Sequence, residues 1–208
     1  MTVAAITRYA GGMGRWAPDA RGRLERAALE LYGEQGYDST TVAEIAERAG
    51  LTERTFFRHF ADKREVLFFG AAALQAFLVN EVENAPVSAA PLEIITAALD
   101  AAAIAFFEEI RDFARQRQVI IAANAELRER ELIKLAALAA ALADALRRRG
   151  VSDPSASLAA EAGIAIFRIA FDAWTADPDE LTLSEHIRAS ADELRVVTSG
   201  PLSTTSRT

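Results

Sequence analysis

The 208-residue sequence predicts an all-α protein, with a small N-terminal three-helix domain followed by a larger helical bundle. Three observations predict it. Ala, Leu, Glu and Arg, which favour helices, dominate the chain. Apolar residues recur at helical spacing, and strand-like alternation bounded by turn residues appears nowhere. Gly, Pro, Asn and Asp interrupt the periodic stretches at helix-length intervals.

Residues 1–17, with Gly11, Gly12 and Gly14, read as a flexible arm in which Met13 offers an alternative start. The first helix is expected from near Pro18-Asp19 to Gln35, with Leu24, Ala27, Ala28, Leu31 and Tyr32 on one face and Gly36 ending it. The second begins after Thr41 and presents Val42, Ile45, Ala46 and Ala49; Thr41 and Glu44, three residues apart, spell a capping box. Gly50-Leu51 turns the chain, Thr52 caps a short third helix, and Phe60-Ala61-Asp62 closes it. Asp62 is then expected to cap a long fourth helix over 63–83. After a loop marked by Pro86 and Pro91, helices are expected over 91–110, 112–121, 125–149, 155–176 and 181–197. The breaks are Asn124, Gly150 with Asp153-Pro154, and Asp177-Pro178. The expected division is therefore an arm (1–17), a three-helix domain (18–64) linked through helix 63–83, a helical domain (65–197) and a disordered tail (198–208).

A hydrophobic fraction of 51% is enough to build a core without staples, and the absence of cysteine excludes disulfides, thiolate metal sites and thiol catalysis. The N-terminus lacks the apolar run of a signal peptide, and the stretch Val66 to Val79 is interrupted by Gln75 and shorter than the roughly 20 residues of a membrane span. A cytoplasmic protein without membrane association is expected. The net charge is −7, but residues 1–64 carry ten Lys/Arg against nine Asp/Glu, so the acid lies in the remainder. Because charges beyond about 10 Å are largely screened in physiological salt, the local field permits an anionic partner for the N-terminal domain.

Catalysis finds no support. The two histidines, His59 and His186, stand alone, and no zinc-protease, P-loop, nucleophile-elbow or dinucleotide motif is present. Glu108, Glu109 and Asp112 alternate with Arg111 and Arg115 as on a solvated helix face. No metal and no cofactor are expected.

The strongest signal is STTVAEIAERAGLTERTFFRHFADK, residues 39–63. Two short helices crossing at a tight turn need a small residue at the crossing (Ala46), a glycine in the turn (Gly50) and apolar pins on both helices (Ile45, Leu51, Phe56 and Phe60). All positions are filled, which is helix-turn-helix spacing. Arg54 is the residue near the start of the third helix able to make a bidentate contact with guanine. Arg54, Arg58 and Lys63 are otherwise a solvated face.

The stretch from Arg21 to Phe69 closely resembles the DNA-binding domain of the TetR family of bacterial transcription regulators, on the residues AALELYGEQGYDSTTVAEIAERAGLTERTFFRHFADKREVLF. More weakly, Glu-Leu-x-x-Leu-Ala-Ala-Leu near 131–138 and the late Phe/Trp helix look like the subset with an acyl-CoA-like ligand-binding domain. The resemblance implies a palindromic double-stranded DNA operator bound by a homodimer, repression as the default, and release by a small apolar or acyl-type effector. It implies phosphate contacts from Thr40 and Thr41, a recognition helix opened by Thr52, Arg54 and Thr55, and flanking backbone contacts from His59 and Lys63. Phe57 stands where members commonly have tyrosine, which removes a hydrogen bond to phosphate; Arg58 is placed to compensate. The alternative is a helical protein-interaction module that does not bind DNA.

In the C-terminal domain, Phe106, Phe107, Ile110, Phe113, Phe167, Phe171 and Trp174 are candidates to line an effector cavity, or else to fill a core. Helix 155–176 is apolar over most of its circumference, so it needs cover on two sides. One flank holds Leu158, Ala162, Ala165, Ile169 and Ala173, the other Ile164, Phe167, Phe171 and Trp174 around Gly163. One is expected to face its own core and the other a second copy, joined by helix 181–197.

Overall fold

A computed structural model describes residues 20–177 and 181–199. The expected arm, the start of the first helix at Pro18-Asp19 and residues 200–208 of the expected tail lie outside the described residues. Among those described, all regular structure is helical: α1 (Ala20–Gln35), α2 (Val42–Arg48), α3 (Glu53–His59), a 3-10 turn (Glu65–Phe68), α4 (Ala71–Asn84), α5 (Pro91–Phe106), α6 (Arg111–Ala123), α7 (Ala125–Arg148), α8 (Asp153–Ala176) and α9 (Leu183–Ser199). Residues 198 and 199 thus extend α9 rather than begin a tail.

Two compact units emerge, and their boundary is not the one expected. The first takes residues up to Gly70 together with 116–130; the second takes 71–115 and 131 onward. In the first unit, α1 buries Leu24, Ala27, Ala28, Leu31 and Tyr32, the face expected of it, against Ile45 and Ala46 of α2 and Phe56 of α3. The segment 116–130 joins this unit by specific contacts. Arg130 pairs with Glu65, the Tyr37 hydroxyl donates to Glu126 Oε2 at 3.5 Å, and Asn124 Nδ2 donates to Asp38 Oδ1 at 3.4 Å.

The single helix expected over 63–83 is broken. Asp62 does act as a cap, its Oδ1 accepting the backbone N–H groups of Arg64 (2.8 Å) and Glu65 (3.2 Å), but it caps the 3-10 turn. In a continuous α-helix the Leu67 carbonyl would accept the N–H of residue 71. Here it accepts Arg117 Nε at 2.7 Å, while the Arg117 guanidinium lies 4.9 Å from the centre of the Phe68 ring. Val66, Leu67 and Phe68 are all buried. Residues 65–84 together are long and apolar enough to cross a membrane by length and composition. They form two pieces, with Val66 to Phe68 in one core and Leu78 and Val82 in the other.

The second unit is organised around Leu78, Ile95, Leu99, Leu142, Leu146, Ile164 and Ile187, all buried. Gly163 lets α8 approach α5 closely: a Cβ added there would overlap Ile95 Cγ2. The C-terminal end of α8 is closed by arginines of α6. Arg111 donates to the Trp174 carbonyl at 2.7 Å and the Asp177 carbonyl at 3.0 Å, and Arg115 donates to the Thr175 carbonyl at 2.8 Å. Cations at the negative end of a helix dipole also gain Coulombic energy. The two flanks of α8 separate as follows: Ile164, Phe171 and Trp174 face the core of their own unit, while Leu158, Ala165, Ile169 and Ala173 are exposed.

Candidate nucleic-acid interface

The turn between α2 and α3 is built as its sequence requires. Gly50 has φ +64°, and the pair Leu51 N–H to Ala46 carbonyl and Gly50 N–H to Glu47 carbonyl, both 2.8 Å, closes α2 with a Schellman motif. Arg23 of α1 donates to the Ala49 carbonyl, and a Cβ on Gly50 would meet that guanidinium at 2.7 Å. Arg23 is a positioning residue that periodicity does not reveal, because it sits among the exposed residues of α1. A second tie comes from Arg48, whose two terminal nitrogens reach the two carboxylate oxygens of Glu34 at 3.0 and 2.8 Å. That hydrogen bonding holds the Glu34 carboxyl below the usual carboxylate range.

At the start of α2 the capping box forms: the Thr41 hydroxyl accepts the Glu44 N–H at 3.2 Å, and Glu44 Oε2 accepts the Thr41 N–H at 2.8 Å. The Thr41 backbone bond, then its hydroxyl, lower the Glu44 pKa. Thr41 is exposed, as a contact residue must be. Thr40 is not. It is 1% exposed, and its hydroxyl donates inward to the Gly36 carbonyl at 2.8 Å, so the side-chain phosphate contact expected of it is sterically closed.

Lys63 departs from expectation in the same direction. Its ammonium donates to the carbonyls of Tyr37 (2.8 Å), Thr40 (3.1 Å) and Asp38 (3.4 Å) and lies 4.2 Å from the centre of the Tyr37 ring. An ammonium has three donors, and all three are engaged within the fold. The Tyr37 hydroxyl itself is pushed up to about 12, chiefly by burial and then by the Glu126 carboxylate.

In α3, Thr52 caps the helix, its hydroxyl accepting the Thr55 N–H at 3.2 Å. Phe56 is fully buried, and its ring packs on Phe60 at a centroid distance of 5.5 Å, fixing one side of the helix. Glu53, Arg54, Phe57 and Arg58 are exposed on the other, with Thr55 and His59 half-buried at its margins. Phe57 is 55% exposed, a large apolar ring held edge-on by Phe56 and left in water. Among the described residues Arg58 reaches His59 Nε2, at 3.5 Å. Arg54 has no hydrogen-bond or ion-pair partner among the described residues. The geometry is thus a short rigid helix with two cations and an aromatic ring directed outward, a form and chemistry that suit the DNA major groove.

The expected effector residues are only partly brought together. Phe107, Phe167, Phe171 and Trp174 form one cluster, with ring centroids 5.5 to 6.2 Å apart, in mutual contact rather than around open space. Phe106 turns instead to Phe77 at 5.2 Å, Ile110 is 39% exposed, and Phe113 is half-buried outside the ring contacts. A cavity of about 190 Å³ lies beside Trp174, lined also by Ile104, Arg111 and Leu181. It is smaller than the roughly 300–1,000 Å³ of a drug-sized ligand pocket. Among the described residues no group of three or more His, Cys, Asp or Glu gathers to hold a metal ion.

Comparison with known proteins agrees with this geometry. Residues 25–68 match the model of a family described as bacterial regulatory proteins, tetR family. The HTH-type transcriptional regulator TcmR of Streptomyces glaucescens is 42% identical over 81 residues, 39% of this chain and 36% of that protein. The HTH-type transcriptional activator FasR of Mycolicibacterium smegmatis is 35% identical over 66 residues, 32% of this chain and 29% of that one. The likeness therefore spans about a third of each relative. Among solved structures, the complex of SmeT with triclosan superposes with a TM-score of 0.58 at 21% identity, covering 86% of this chain and 91% of that one. FadR of Bacillus subtilis in complex with stearoyl-CoA also gives 0.58, at 18% identity over 86% of this chain and 99% of that one. At these identities the structural likeness establishes the fold alone: a helix-turn-helix domain followed by a helical C-terminal domain.

Proposed function

We propose that this chain, whose N-terminal part is a TetR-family helix-turn-helix domain, is a ligand-responsive transcriptional regulator and not an enzyme. The observation that carries this reading is the outward face of α3, where Arg54, Phe57 and Arg58 stand exposed while Phe56 anchors the helix from behind. Two such helices, one from each copy in a homodimer, read the two halves of a palindromic operator, and bivalence multiplies the affinity of each half-site. Dimerisation is supported by the exposed apolar flank of α8, with Leu158 71% and Ile169 62% exposed, and by Val196 and Val197 of α9. The protein works in the cytoplasm, with repression the expected sign.

The effector is a small apolar or acyl-type molecule acting through the second unit. One protein of this fold is in complex with triclosan and another with stearoyl-CoA, an acyl-type molecule. The packed rings around Phe107 must part to admit such a molecule. A ligand that prefers the parted form shifts the population by its difference in affinity for the two forms, and by no more.

The test is selection of duplexes from a random pool by the full chain, followed by binding at several salt concentrations. The reading expects an enriched palindrome and affinity falling linearly on a log–log salt plot. No enrichment and salt-independent binding would instead favour a helical module that binds protein.

A further inference from the structure

We infer that Lys63 is a positioning residue for the DNA-reading face rather than a phosphate ligand; this rests on the DNA-binding reading above. Four carbonyls crowd the turn between α1 and α2. That of Gly36 is satisfied by the Thr40 hydroxyl, and those of Tyr37, Asp38 and Thr40 converge on the Lys63 ammonium. The Tyr37 carbonyl also accepts the Thr40 N–H at 3.3 Å. Oxygen dipoles pointing at one another from a tight turn repel unless a cation sits among them, and an ammonium over an aromatic face gains a further attraction from the ring. The lysine is held at its other end too, since its own carbonyl accepts the buried Tyr32 hydroxyl at 2.7 Å. Lys63 therefore joins three places: the interior of α1, the turn 37–40, and the chain just beyond α3. The next residue after that turn is Thr41, which caps α2 and faces outward. Without the ammonium, the turn loses the charge that fixes its carbonyls, and Thr41 loses its fixed place relative to α3.

The two roles separate experimentally. The full chain is compared with K63M, which keeps the aliphatic stem, and K63Q, which keeps two N–H donors without the charge. The probe is a duplex enriched by the wild-type protein, titrated at several salt concentrations, with amide hydrogen exchange followed over 37–44. Positioning predicts that K63M binds about tenfold more weakly with an unchanged salt slope, that its amides in this segment exchange about tenfold faster, and that K63Q, with donors but no charge, recovers only part of either. A role in stability alone would lower the melting temperature and leave the affinity of the folded protein intact, which overturns the inference. So does a salt slope shallower by about 0.9 in either variant, the signature of a lost phosphate contact. If K63M does not fold, K63Q decides by slope and exchange. If the wild-type chain binds no duplex, the DNA reading falls, while unchanged exchange in the variants would separately refute the clamp.

Discussion

Replacing Arg54 with alanine separates recognition from folding. The guanidinium is exposed and without a hydrogen-bond or ion-pair partner among the described residues, so its removal breaks no hydrogen bond or ion pair with them. Alanine is at least as good a helix former as arginine. Arg54 is the second residue of α3, close to the positive end of the helix dipole, so losing a cation there is slightly favourable. The expected change in stability is within about 0.5 kcal/mol, or a shift of about 1–2 °C in melting temperature for a chain of this size. On DNA, a bidentate arginine–guanine contact contributes about 1–3 kcal/mol per half-site, a factor of about 5 to 150. A dimer engaging two half-sites loses up to the square of that factor where the sites act additively. Fluorescence anisotropy at fixed salt, against the enriched duplex and its single-base variants, measures this. Arg54→Ala should abolish discrimination at one position of each half-site and leave the other positions ranked as before. An equal loss on every duplex, with a shallower salt slope, would identify a phosphate contact. A melting temperature lowered by several degrees would refute the premise that the side chain stands free.

Two further substitutions test the second unit. Gly163→Ala should destabilise the chain by about 1–2 kcal/mol in urea denaturation, because overlap with Ile95 Cγ2 outweighs the roughly 1 kcal/mol gain in helix propensity; unchanged or raised stability would mean that α5 and α8 part without cost. Ile169→Glu places a charge on the exposed flank of α8 and should convert a dimer to a monomer in light scattering while sparing the fold; a dimer that persists would put the interface elsewhere.

Helix identity was legible where the signal is local. The capping pair Thr41/Glu44, the turn at Gly50 and the anchoring of α3 by Phe56 and Phe60 involve residues within a few positions of one another, and all three appear in the structure. What escaped was set by distant partners. The helix expected over 63–83 breaks because Arg117, fifty positions away, takes the Leu67 carbonyl. Of the aromatic candidates for a cavity wall, Phe107, Phe167, Phe171 and Trp174 pack on one another, since periodicity shows which face is apolar but not whether space remains behind it.

The cations show the same limit most clearly. From sequence, Lys63, Arg111, Arg115 and Arg117 cannot be told from solvated cations: each is a charge on a helical stretch, equally suited to water, phosphate or carboxylate. In the structure each of the four reaches a backbone carbonyl. These bonds span separations of 25 to 66 positions, so no local pattern encodes them. The consequence runs in favour of the functional reading. A cation engaged with the chain's own carbonyls cannot serve a ligand without giving up those bonds, and an unpaired buried carbonyl costs about 1–3 kcal/mol. On α3, by contrast, among the described residues Arg54 has no hydrogen-bond or ion-pair partner and Arg58 reaches His59 at 3.5 Å, so neither gives up a backbone carbonyl in meeting a ligand.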